Sequence, residues 1–138
     1  MPKQRLLIVE DEARIRNVLQ RYFESEYDVA MAADGLAGIE LARRLHPHLI
    51  LLDLRMPGLD GLDVLRRLKM SPETVGIPIV VLSAMSDSSL VLDAQALGAA
   101  DYFIKPIALA DIRQAMRKII PTYIGGGHAN PDEAPFPS

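Results

Sequence analysis

The sequence predicts a single α/β domain built on a parallel β-sheet, and three observations carry that prediction. Short runs rich in Ile, Leu and Val alternate with stretches whose apolar residues recur at helical spacing. The first, third and fourth runs are apolar almost without interruption, the pattern of strands covered on both faces. The chain has 138 residues, 49% of them apolar, enough for one core and too few for two comfortable ones.

The first run is Leu6 to Val9. Behind it Ile15, Val18, Leu19, Tyr22 and Phe23 recur at i, i+3, i+4, i+7 and i+8, an amphipathic helix with one stripe on a sheet. The second run, Val29 to Ala33, precedes a weaker helical stretch at Leu36 to Leu45. The third, Leu49 to Leu54, precedes another at Leu62 to Lys69. The fourth, Ile77 to Leu82, leads to Ser88 to Leu97, closed by Gly98 where a helix stop is expected. The fifth is Tyr102 to Ile104, and Ile112, Ala115, Met116, Ile119 and Ile120 repeat the amphipathic spacing after it. Five strands alternating with five helices predict a parallel, doubly wound sheet. Right-handed crossovers open every loop after a strand on one edge, and sites in such sheets form outside the carboxyl ends of the strands.

Composition narrows the function classes. A net charge of −3 does not suggest nucleic acid or an anionic membrane as partner. The absence of cysteine excludes disulfides and thiolate metal sites and is compatible with a cytoplasmic location. "MPKQRLLIVEDE" turns acidic too soon for a signal peptide, and no stretch approaches the roughly 20 apolar residues of a membrane helix. After Pro121 the composition changes: "TYIGGGHANPDEAPFPS" holds three consecutive glycines and three prolines. Residues 1–122 are expected to fold as one domain and residues 123–138 to form a flexible tail or linker.

Chemistry collects where the strands end. The first ends in Glu10-Asp11-Glu12, the third at Asp53, the fourth at Ser83 and the fifth at Lys105-Pro106. On one sheet edge, Glu10, Asp11 and Asp53 would bring three carboxylates together. Like charges so close oppose one another's ionisation, so one must protonate or a cation must intervene. An oxygen-only cluster without His or Cys suits Mg²⁺. Lys105 adds a point charge and Ser83 a hydroxyl, and together with a cation these form a pocket for a phosphoryl group that Asp53 attacks in line. Each residue alone also has a plainer reading. Glu10-Asp11-Glu12 could only cap a helix, Asp53 only form a turn, Ser83 only cap the helix starting near Ser86, and Lys105 only lie on the surface. Their joint spacing on one edge favours the chemical reading.

With these residues in view, the sequence resembles the receiver domain of two-component response regulators. The resemblance runs from Gln4 to about Ile120 and rests on "LLIVEDE", "LILLDLRMPGLDGLDVL", "IPIVVLSA" and "GAADYFIKPI", in that order. It implies a flavodoxin-like sheet of order 2-1-3-4-5. By the resemblance, Asp53 is the phosphoacceptor, while Glu10, Asp11, Asp53 and the main-chain carbonyl of Arg55 hold Mg²⁺. Lys105 contacts the phosphoryl group, its bond to Pro106 is cis, and Ser83 and Tyr102 are the hydroxyl and aromatic switch positions. The implied partners are a sensor histidine kinase or histidine phosphotransfer protein and a downstream effector. Arg55 and Met85, two positions beyond Asp53 and Ser83, are expected to tune phosphoryl lifetime through water access.

Two details depart from the commonest family pattern. Ile107 follows Lys105-Pro106 where phenylalanine is frequent. In "SSLVLDAQALGAA", Leu90, Val91 and Leu92 are consecutive, so one helical stripe cannot bury all three. At least one should face outward, on the side of the fourth helix, fifth strand and fifth helix where a partner or a second copy could bind.

Competing functions fit less well. A flavodoxin-type cofactor binder needs a phosphate cradle after the first strand, where this chain has three acids. A haloacid-dehalogenase-like phosphatase needs an acid two residues after its aspartate, where this chain has Arg55. The remaining alternative is a receiver-like interaction module that works without phosphorylation. No helix-turn-helix or basic stripe assigns nucleic-acid binding to these residues.

Overall fold

The computed structural model describes residues 3–56, 58–84, 88–106 and 108–120. Met85, Ile107 and the expected tail lie outside the described residues. Among the described residues, ten elements alternate: β1 (Gln4–Val9), α1 (Ala13–Phe23), β2 (Tyr27–Ala32), α2 (Gly35–Leu45), β3 (Leu49–Asp53), α3 (Gly61–Met70), β4 (Ile79–Ser83), α4 (Ser88–Ala96), β5 (Asp101–Ile104) and α5 (Leu109–Ile119). The five strands form one sheet of order β2-β1-β3-β4-β5, every neighbouring pair parallel.

The sheet divides the core in two because side chains alternate across a strand. Leu7, Val9, Ile50, Leu52, Ile79 and Val81 face Ile39, Ala42, Val64, Leu65, Leu68 and Ala94 of α2, α3 and α4. Leu6, Ile8, Leu49, Leu51, Val80 and Leu82 face Leu19 and Phe23 of α1 and Ile112 and Met116 of α5. Every residue of β3 is buried, which is why its sequence reads as a continuous apolar run. Each such aliphatic side chain contributes about 1.5–3 kcal/mol by leaving water.

Several boundaries and one stripe differ from the sequence expectation. β2 starts at Tyr27, before the run that begins at Val29, because exposed Asp28 breaks the apolar pattern without breaking the strand. β4 starts at Ile79, two residues after Ile77, and ends on Ser83. Val18 is 49% exposed and does not belong to the buried stripe of α1. That stripe centres on Leu19 and Phe23, and at 3.6 residues per turn Val18 lies about 120° away from its centre. On α4, Leu90 packs against the core and Ala94 is buried, while Leu92 is 63% exposed. Leu92 is thus the outward residue of the three consecutive apolar positions. Among the described residues, no helix is long and apolar enough to cross a membrane.

The connection from β3 to α3 is drawn tight. The Leu54 amide donates to the Leu82 carbonyl (3.1 Å), and the Gly61 amide donates back to the Leu54 carbonyl (3.2 Å). A Cβ on Gly61 would stand 2.6 Å from the Leu54 carbonyl oxygen, so only glycine allows this approach. Gly58 takes a positive φ of 82° in the same loop. Asp60 then caps α3, accepting from the Leu62 amide at 2.9 Å.

Candidate functional site

Four strands deliver the predicted chemistry to the carboxyl edge. Glu10 follows β1, Asp53 and Ser83 are the last residues of β3 and β4, and Lys105 follows β5. Each of Glu10, Asp11 and Asp53 offers a carboxylate oxygen within 4.8 Å of the others. Glu10 is 1% and Asp53 4% exposed, with Asp11 the most open of the three. Lys105 Nζ donates to Glu10 Oε1 at 3.0 Å and to Asp53 Oδ2 at 3.3 Å. It therefore bridges residues 95 and 52 positions away in the chain.

The backbone holds these groups in place. The Arg55 amide donates to Asp53 Oδ1 (3.0 Å), leaving Oδ2 toward Lys105. Asp53 therefore does form the local turn expected of an aspartate after a strand, with one oxygen only. The Glu12 amide donates to Glu10 Oε2 (3.1 Å), and the Glu10 amide donates to the Ala32 carbonyl (3.0 Å). The plainer capping reading of the acid run fails at Glu12: it is the N-cap of α1, yet its side chain makes no cap hydrogen bond. Lys105 is tied down by its own amide, which donates to the Ser83 carbonyl at 2.6 Å. The Lys105–Pro106 peptide bond is cis.

Burial without enough positive charge sets the electrostatics. Desolvation pushes the Glu10 carboxyl up from 4.5 to about 7, against the opposing hydrogen bonds from Lys105 and the Glu12 amide and with a further push from the Asp53 charge. Burial lowers the pKa of Lys105, but the hydrogen bond it donates to Glu10 and the charges of Asp53 and Glu10 outweigh it and hold the ammonium above its ordinary value. Among the described ion pairs, one lysine meets two of the three acids and none reaches Asp11. That imbalance, with an all-oxygen donor set, fits a hard divalent cation.

Ser83 is fully buried and is the last residue of β4. Tyr102 pairs in register with Val81 and packs half-buried against the core under α2, α3 and α4. The Arg55 side chain is exposed. One residue at the site escaped the sequence reading. Arg16, on α1, donates from Nη1 to the carbonyls of Glu10 (2.8 Å) and Asp11 (2.9 Å). No spacing distinguishes it from Arg14 or Arg21 on the same helix.

A doubly wound sheet of order 2-1-3-4-5, with an acid pair, an aspartate and a lysine converging on its carboxyl edge, defines the protein as a receiver. The family model described as "Response regulator receiver domain" matches residues 6–117, and the chain belongs to that family, the receiver domains of two-component response regulators. It is 34% identical over 122 residues to the sporulation initiation phosphotransferase F of Bacillus subtilis (strain 168), covering 88% of this chain and 97% of that one. It is 36% identical over 121 residues to the DNA-binding response regulator MtrA of Mycobacterium tuberculosis, covering 84% of this chain and 52% of that protein. The chain thus spans nearly all of the first relative and about half the length of the second. The chemotaxis protein CheY4 of Vibrio cholerae superposes with a TM-score of 0.79 at 22% identity, covering 85% of this chain and 98% of that one, a likeness of fold.

Proposed function

We propose that Asp53 is the phosphoacceptor of this receiver and that a sensor histidine kinase or histidine phosphotransfer protein is its donor. The observation that carries the reading is the division of labour on the Asp53 carboxylate, with Oδ1 held by the Arg55 amide and Oδ2 turned toward Lys105. An oxygen of Asp53 forms the new bond to phosphorus as the bond from phosphorus to the donor's imidazole nitrogen breaks, and the imidazole leaves. Lys105 moves its ion pair from the carboxylate to the equatorial oxygens of the phosphoryl group. The name of the Bacillus relative, a phosphotransferase, supports this direction of reading.

Glu10, Asp11, Asp53 and the Arg55 carbonyl are the groups that would hold Mg²⁺, as their oxygen donors and unbalanced charge suggest. When bound, the ion neutralises charge on the transferring group. Ser83 and Tyr102 act as the switch pair: the hydroxyl turns to the phosphoryl oxygens and the aromatic ring follows, shifting the population of two states of the α4-β5-α5 face. The domain is a cytoplasmic signalling switch, residues 1–122, that promotes its own phosphorylation and dephosphorylation without acting on a separate substrate. Its output goes to a downstream effector or a second copy. Exposed Leu92 on α4 and Ile104 at the end of β5 support that face as the surface of contact.

Incubation with Mg²⁺ and beryllofluoride tests the reading. Amide shifts at Ser83 and Tyr102 in the parent, absent in Asp53→Asn, support it. No response in either protein favours a receiver-like module that works without phosphorylation.

A further inference from the structure

Arg16 satisfies three consecutive carbonyls. Its guanidinium donates to those of Glu10 and Asp11, and its amide donates to that of Glu12 at 2.9 Å. The Glu10 amide is already committed to β2 through Ala32, so both backbone polar groups of Glu10 are held. The planar fork on a long stem explains how a half-buried residue in the second turn of α1 reaches back over the loop before it. Arg16 touches no carboxylate in these contacts. It grips the backbone from which two of the three carboxylates project.

We propose that Arg16 is a positioning residue for cation binding: by pinning the β1–α1 turn it keeps the Glu10 and Asp11 carboxylates converged with Asp53. The inference rests on the reading of this cluster as a Mg²⁺ site. Its sign separates it from plain electrostatics. A cation beside an acidic cluster repels Mg²⁺, so on charge alone removal of Arg16 tightens binding. If pinning dominates, removal weakens it, because partners that orient metal ligands are typically worth about 10–100-fold in affinity. Arg14 is the internal control. It carries the same charge on the same helix, lies 88% exposed, and meets only Glu12, at 3.8 Å among the described ion pairs.

The test is calorimetric titration of Mg²⁺ into the parent, Arg14→Ala, Arg16→Ala and Arg16→Met. The methionine keeps the packing of the stem, drops the donors, and carries the test if the alanine variant does not fold. Arg16→Met is expected to bind Mg²⁺ about 10-fold or more weakly than the parent, with Arg14→Ala no weaker than the parent. Arg16→Met binding as tightly as the parent, or more tightly, overturns the proposal. A second readout needs no metal. In chelator, the Glu12 amide, which donates to Glu10 Oε2, should exchange with solvent faster in Arg16→Met, while core amides such as Leu51 keep the parent's rate. Unchanged Glu12 exchange overturns the pinning itself. A parent that binds no Mg²⁺ while Glu12 exchange quickens in the variant overturns the metal reading and leaves the pinning standing.

Discussion

Replacing Glu10 with glutamine should flatten the pH dependence of stability of the metal-free domain. In the folded chain the Glu10 carboxyl is pushed up from 4.5 to about 7, chiefly by burial. Between those values the folded state holds a proton that the unfolded state has already released. The stability from this group is therefore complete below the unfolded value and is lost as pH rises through the folded one. At about 1.4 kcal/mol per pKa unit the whole effect is on the order of 3 kcal/mol, most of which falls between roughly pH 5 and pH 8. Urea unfolding in chelator at both pH values, for parent and Glu10→Gln, reads the group together with its coupling to Lys105, while titrations away from the site are common to both proteins. The parent should lose about 2–3 kcal/mol more than the variant over that interval. Parallel pH profiles would refute the claim that Glu10 is forced to ionise against its surroundings.

Other expectations follow from particular contacts. Gly61→Ala drives a Cβ into the Leu54 backbone and should cost about 1–3 kcal/mol by urea denaturation, a cost that a parent-like midpoint would deny. Arg55→Ala should change the decay rate of the phosphorylated domain, since the side chain stands exposed two residues from Asp53; identical decay curves would remove Arg55 from any role in water access. Leu92→Glu should reduce self-association or effector binding, read as mass in solution and partner affinity, and unaltered values in both would exclude Leu92 from the contact surface.

How legible each part was depended on how local its cause is. β3 could be read from its residues because both faces are covered, which demands an unbroken apolar run. The start of β2 could not, since Tyr27 is buried while the adjacent Asp28 points to water, and alternation over so few residues resembles a loop. Val18 has the spacing of a stripe residue but sits on its flank, a distinction set by where α1 docks and not by its own sequence. The acids and the lysine were legible through the topology, which brings strand ends together. Which acid the lysine prefers was not: Lys105 lies nearer Glu10 than Asp53, and that follows from packing of residues 95 positions apart. Arg16 left no trace because its partners are carbonyl groups, which every residue has.

The central claim is that Asp53 receives the phosphoryl group. Intact mass after incubation with Mg²⁺ and a small acyl phosphate tests it most directly. The parent should gain the mass of one phosphoryl group and Asp53→Asn should gain none. Equal modification of the two proteins, or no modification of the parent, would contradict it.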